Sequence, residues 1–153
     1  MKKKSINYKI CASFDTETTT IHKNNEYHAF ACLYIFAELK DIYLRDYKCG
    51  DETIEFFRTE DEAISYIQFL IDCGESNNFV PIVCAYNLMF DLQTIIYKLN
   101  VMYNMKVSAQ SSTNVYTLDL FDINTDKILL RFWDTFHLEM RGLAAMGETC
   151  GLP

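Results

Sequence analysis

Asp15 and Glu17 stand two apart in the run Ser13 to Thr20, S-F-D-T-E-T-T-T, which follows the apolar stretch Tyr8 to Ala12. Successive side chains of a strand leave on opposite faces, so these two carboxylates point the same way as the strand ends. Like charges at such range are tolerated when they are solvated, when one is protonated, or when a cation lies between them. An oxygen-only donor pair favours a hard divalent ion such as Mg²⁺ or Mn²⁺. A solvated acidic turn has the same two residues, so partners elsewhere in the chain must decide between the readings.

The second group of residues with chemical potential is Cys84 to Asp91, C-A-Y-N-L-M-F-D. It begins where the apolar run Phe79 to Ala85 ends, and the spacing predicts a helix over Leu88 to Leu99 with Asn87 at its N-cap. Asn87 and Asp91, four apart, then lie on one side of that helix beside Phe90. A third carboxylate is thereby set at the C-terminal edge of a central strand, where open α/β sheets gather their ligands. The structural alternative has Asn87 as a plain cap, Phe90 as core and Asp91 as a partner of the helix dipole.

The elements that must carry these residues follow from period and punctuation. Asn7 to Phe14, Tyr27 to Leu39 and Ile42 to Tyr47 read as three strands of an antiparallel meander. Thr59 to Cys73 changes to helical period, with a Thr59/Glu62 capping box at its start and Gly74 as its stop. Phe79 to Ala85 reads as a strand buried on both faces, in a parallel position at the sheet centre. Met102 to Asn114 reads as a loop holding at most a short strand. Val115 to Asp122 and Lys127 to Trp133 form a hairpin around Ile123 to Asp126, and Glu139 to Met146 a short last helix. A meander followed by strands interleaved with helices gives a mixed α/β sheet with helices on its faces, in a single domain.

Composition narrows the partners. The 153 residues are 50% hydrophobic and 14% aromatic, enough for one sizeable core. A net charge of −7 argues against a duplex binder that works through a basic face, so nucleic acid would have to be held by metal ions and stacking. No run of 18 apolar residues occurs, which excludes a transmembrane helix, and Lys2 to Lys4 is not followed by a signal-peptide core. An intracellular, cytoplasmic protein is expected. The six cysteines form no C-x-x-C pair and have no histidines at zinc spacing, so they are expected to be reduced structural thiols.

D-T-E-T-T-T near the N-terminus and Y-N-L-M-F-D some seventy residues later resemble the first two exonuclease motifs of family B DNA polymerases, of the protein-primed kind found in small bacteriophages and linear plasmids. Trp133, Asp134, Thr135 and Phe136 are similar to a third stretch of that subfamily, with Phe136 where it has leucine. The resemblance implies a ribonuclease H-like fold of the DnaQ-like exonuclease type and a 3′→5′ exonuclease that removes misinserted nucleotides with two divalent ions, Mg²⁺ or Mn²⁺. It implies Asp15, Glu17 and Asp91 as metal ligands and catalytic residues. Thr18, Asn87, Phe90 and Thr135 match positions that hold the single-stranded DNA 3′ end, and Tyr86 adds an aromatic surface beside Phe90. The family's third motif, tyrosine and aspartate four apart on a helix, has no counterpart: Tyr116 and Asp119 are three apart in a predicted strand. The resemblance thus implies a C-terminally incomplete piece of a longer polymerase, whose partners include the missing polymerase portion and a terminal protein. Two other readings remain open: a remnant that binds metal or single-stranded DNA without cutting, and an interaction domain with an incidental acidic turn.

Overall fold

The apolar run after Phe79 becomes β4 (Val80–Ala85), and its burial on both faces follows from its place in the middle of the sheet. Its parallel neighbours are β1 (Tyr8–Lys23) and β7 (Ile128–Asp134). Antiparallel strands extend the sheet on either side, β2 (Glu26–Glu38) and β3 (Ile54–Phe57) beyond β1, and β6 (Val115–Phe121) and β5 (Asn104–Ala109) beyond β7. The computed structural model describes residues 5–38, 54–112 and 114–138, and among them seven strands run in the order β3-β2-β1-β4-β7-β6-β5. This is a mixed α/β architecture consistent with a ribonuclease H-like fold.

Helix α1 (Glu60–Asn77) starts at the capping box expected from sequence, with Thr59 Oγ1 accepting from Glu62 N–H and Glu62 accepting from Thr59 N–H. Ala63, Ile67, Leu70 and Ile71 form its buried stripe. They pack on a sheet face where Ala12, Val83, Phe132 and Leu118 stand in register across β1, β4, β7 and β6, all fully buried. Two short helices, α2 (Leu88–Leu92) and α3 (Ile96–Met102), complete this layer with Leu88, Leu92 and Leu99. Lys98 of α3 ties back to Glu60 and Asp61 of α1. On the opposite sheet face the row Ser13, Cys84, Trp133 and Thr117 is half-buried or exposed.

Several sequence expectations are corrected. The first strand does not stop at Phe14 but runs to Lys23, because β2 continues to pair with it after β4 has ended. Gly74 lies inside α1, pressed against the turn into β4, and the helix ends instead at Asn78 in the left-handed region, φ 57°. The helix expected over Leu88 to Leu99 is broken at Gln93–Ile95, and the short strand allowed within the loop expected at Met102 to Asn114 is the six-residue β5. Among the described residues the strand that pairs with β2 on its outer side is Ile54–Phe57, while the strand expected at 42–47 and the helix expected at 139–146 lie outside them. The hairpin of β6 and β7 stands as expected, its turn including Asp126 at φ 58°. Among the described residues Cys11, Cys73 and Cys84 are free thiols, and burial pushes the Cys11 thiol up to about 12, as befits an inert core side chain. No described helix is long and apolar enough to cross a membrane.

Candidate functional site

Parallel pairing of β1 with β4 ends at Phe14 opposite Ala85. Beyond that pair the β1 edge would be left with an unpaired backbone, and α2 comes down onto it. Asp91 fills the vacancy in the ladder: its Oδ1 accepts from the Thr16 backbone N–H at 3.1 Å and from the Thr16 hydroxyl at 2.8 Å. A residue 75 positions away is thereby fixed between Asp15 and Glu17 in the chain. Thr16 is buried, while Asp15 and Glu17 alternate with it on the exposed face of β1.

Asp91 is only 2% exposed. Burial is the largest influence on it and pushes its carboxyl up to about 6, with the nearby Asp15 carboxyl adding to the rise through charge and hydrogen bonding. The two Thr16 bonds work in the other direction but do not prevail. Two carboxyl groups from distant parts of the chain thus meet at close range, a repulsion that a cation relieves. The donors are all oxygen, which suits a hard divalent ion. Among the described residues no three Asp, Glu, His or Cys side chains gather closely enough to form a complete metal site.

The residues around this pair are placed by Asp134, which has a motif position but no role in the sequence reading. Its buried carboxylate, at the end of β7, accepts from the backbone N–H groups of Asn87 (3.1 Å), Leu88 (3.0 Å) and Phe136 (2.9 Å). It therefore does the capping that Asn87 was expected to do. The Asn87 side chain makes no cap bond; its backbone sits in the left-handed region, φ 64°, where asparagine is tolerated. The signal for Asp134 was present as an aspartate at the end of an apolar strand next to β4.

Phe90, 47% exposed, stands one residue before Asp91. Tyr86 is half-buried and meets the Phe136 ring edge-on at 5.3 Å. Thr135 donates its hydroxyl to the Ala85 carbonyl, 3.1 Å, at the end of β4. Thr18 shares the Thr16 side of β1 and so faces away from Asp15 and Glu17. Tyr116 and Asp119 leave β6 on opposite faces, and Asp119 is held by a bidentate pair with Arg131, 2.7 and 2.9 Å. A cavity of about 710 Å³ near Asn7, Val80 and Ile128 opens at the other end of the parallel strands and includes none of Asp15, Glu17, Asp91 and Asp134.

No family model matches the chain, and no curated protein matches it. Among solved structures it is similar to phi29 DNA polymerase complexed with primer-template DNA, at a TM-score of 0.64, and to phi29 DNA polymerase complexed with single-stranded DNA, at 0.62. Identity is 12% in both, over 94% of this chain and 24% of the polymerase chain. The chain spans about a quarter of the length of those polymerase chains and has the fold of that part; at this identity the likeness is one of fold.

Proposed function

We propose that this chain is a 3′→5′ exonuclease domain of the DnaQ-like type, related to protein-primed family B DNA polymerases and hydrolysing the 3′ ends of single-stranded DNA. The observation that carries this reading is the clamping of Asp91 onto Thr16, between Asp15 and Glu17, in a fold shared with a quarter of a DNA polymerase. Asp15, Glu17 and Asp91 would hold divalent ions. Bound there, such ions supply a water nucleophile of lowered pKa and stabilise the leaving 3′ oxygen.

The chain's own residues orient the parts. Thr16 fixes the Asp91 carboxylate through Oδ1, so Oδ2 is not tied to Thr16. Asp134 fixes the start of α2, and with it the position of Phe90. Phe90 presents a ring on which a terminal base can stack, with Tyr86, Asn87, Thr18 and Thr135 as the further strand contacts that the motif match assigns.

Asp15→Ala combined with Glu17→Ala is expected to abolish Mn²⁺-dependent trimming of a 5′-labelled single-stranded oligonucleotide. Equal trimming by the double variant and the parent would place the chemistry elsewhere. A second reading, a module that binds metal or single-stranded DNA without cutting, is favoured by the lack of a three-ligand cluster among the described residues and by the engagement of Asp119 with Arg131. Binding of an oligonucleotide with no trimming in Mn²⁺ would select it.

A further inference from the structure

The β1–β2 hairpin outgrows the sheet. β4 pairs with β1 no further than Phe14, and β3 pairs with β2 no nearer the turn than Tyr34. From Thr18 to Lys23 and from Glu26 to Ala31 the described strands have only each other, six residue pairs or roughly 20 Å of two-stranded ribbon. Asn24 and Asn25, at φ 53° and 61°, supply the two-residue turn that suits the twist of paired strands. A ribbon of two strands is marginal in water, and this one leaves Ile21, Tyr27 and Phe30 more than half exposed.

Its faces are not equivalent. The register breaks between Glu17 and Thr18 because β2 carries one extra residue, Cys32, so β1 keeps its alternation and Asp15, Glu17, Thr19 and Ile21 share a face. Phe30 stands opposite Thr19 and His28 opposite Ile21, and their rings lie 6.5 Å apart. The aromatic pair thus begins at the next residue on the face that bears the two carboxylates. The other face has a separate ring pair, His22 and Tyr27, 4.7 Å apart. Between Thr18 and Ala31 the formal charges are one lysine and one glutamate, Lys23 and Glu26, in a chain of net charge −7. Phosphates running along this ribbon meet no excess of like charge.

We infer that the Phe30–His28 face of the ribbon is a stacking track for bases of single-stranded DNA lying upstream of the 3′ end. This rests on the exonuclease reading and extends it by naming where the strand runs after it leaves the acidic pair. Ring faces accept any base, so the track tolerates sequence.

The test is fluorescence anisotropy of labelled oligothymidylates, about three and about ten nucleotides long, with the whole 153-residue chain in Ca²⁺. Phe30→Ala is expected to weaken the longer oligonucleotide about fivefold to tenfold and to leave the shorter unchanged. Phe30→Trp retains affinity, and Tyr27→Ala, on the opposite face, retains it too. Unchanged affinity of Phe30→Ala for the longer strand overturns the track; the exonuclease reading then stands if Asp15→Ala with Glu17→Ala still abolishes trimming. Equal losses from Phe30→Ala and Tyr27→Ala overturn it as well, since they report ribbon integrity or a protein partner rather than one face. Failure of the parent to bind either length overturns both.

Discussion

At the scale of the residue, Asp91 sets stability against the metal-binding role proposed for it. Its carboxyl is raised from an ordinary 3.8 to about 6, so its contribution to stability is full below about pH 4 and is lost as pH rises through about 6. That loss amounts to on the order of 3 kcal/mol at most, from about 1.4 kcal/mol per pH unit. Asp91→Asn keeps an oxygen for Thr16 and removes the charge. In EDTA near pH 7.5 it is expected to raise unfolding free energy by about 1–3 kcal/mol in urea titrations, and to remove the Mg²⁺ stabilisation that the proposed function implies for the parent. A variant less stable than the parent in EDTA would show that the ionised carboxylate is well accommodated without a cation. Asp134 belongs to the opposite class: Asp134→Ala strands three backbone N–H groups and should cost about 2–3 kcal/mol in the same titration. The sequence made the Asp15–Glu17 pair legible through strand period and Asp91 through its spacing from Asn87. It could not reveal that Asp91 completes the edge of β1, because that depends on where β4 stops.

At the scale of the element, local chemistry was readable wherever one segment settled its own ends. The capping box of α1 is such a case, and so is the β6–β7 hairpin, where alternation and a polar turn agree. Gly74 was misread because glycine at a helix stop and glycine at a close approach look alike in sequence. A Cβ at position 74 would lie 2.6 Å from the Phe79 carbonyl oxygen and 2.7 Å from Pro81 Cδ. Helix propensity favours alanine by about 1 kcal/mol, but overpacking against backbone costs about 1–3 kcal/mol. Gly74→Ala is therefore expected to lower the thermal midpoint, and a rise in that midpoint would mean that the α1–β4 turn yields freely. The break between α2 and α3 escaped notice for a related reason. Leu88, Leu92, Ile95 and Leu99 fit a continuous helical period, whereas the Asp134 anchor and the descent onto β1 set the direction of α2 separately.

At the scale of the whole molecule, the order of the sheet follows from burial: the parallel core β1-β4-β7 is central and the antiparallel strands lie outside it. At a net charge of −7, the DNA binding proposed for this chain would draw little from counterion release. Oligonucleotide binding is expected to weaken only gently with added salt, with a log–log slope of about −1 rather than the steep dependence of a basic groove. A steep slope in anisotropy titrations would point to a cationic surface in place of stacking and metal. The strand order itself was only partly legible, since pairing of β1 with β4 joins segments more than 60 residues apart that no local pattern links.

The ties that set the acidic pair also impose a timetable. Asp91 is aligned by α2, α2 is moored by Asp134, and β7 is needed to present Asp134 beside Ala85. During synthesis a ribosome releases Asp15 and Glu17 first and Asp134 last, so the emerging polypeptide holds every acidic residue of the site before it can assemble them. Assembly of the Asp15–Asp91 pair therefore waits on β7, and the site proposed here cannot form until the stretch through Asp134 has left the exit tunnel, an order set by the positions of three aspartates along the chain.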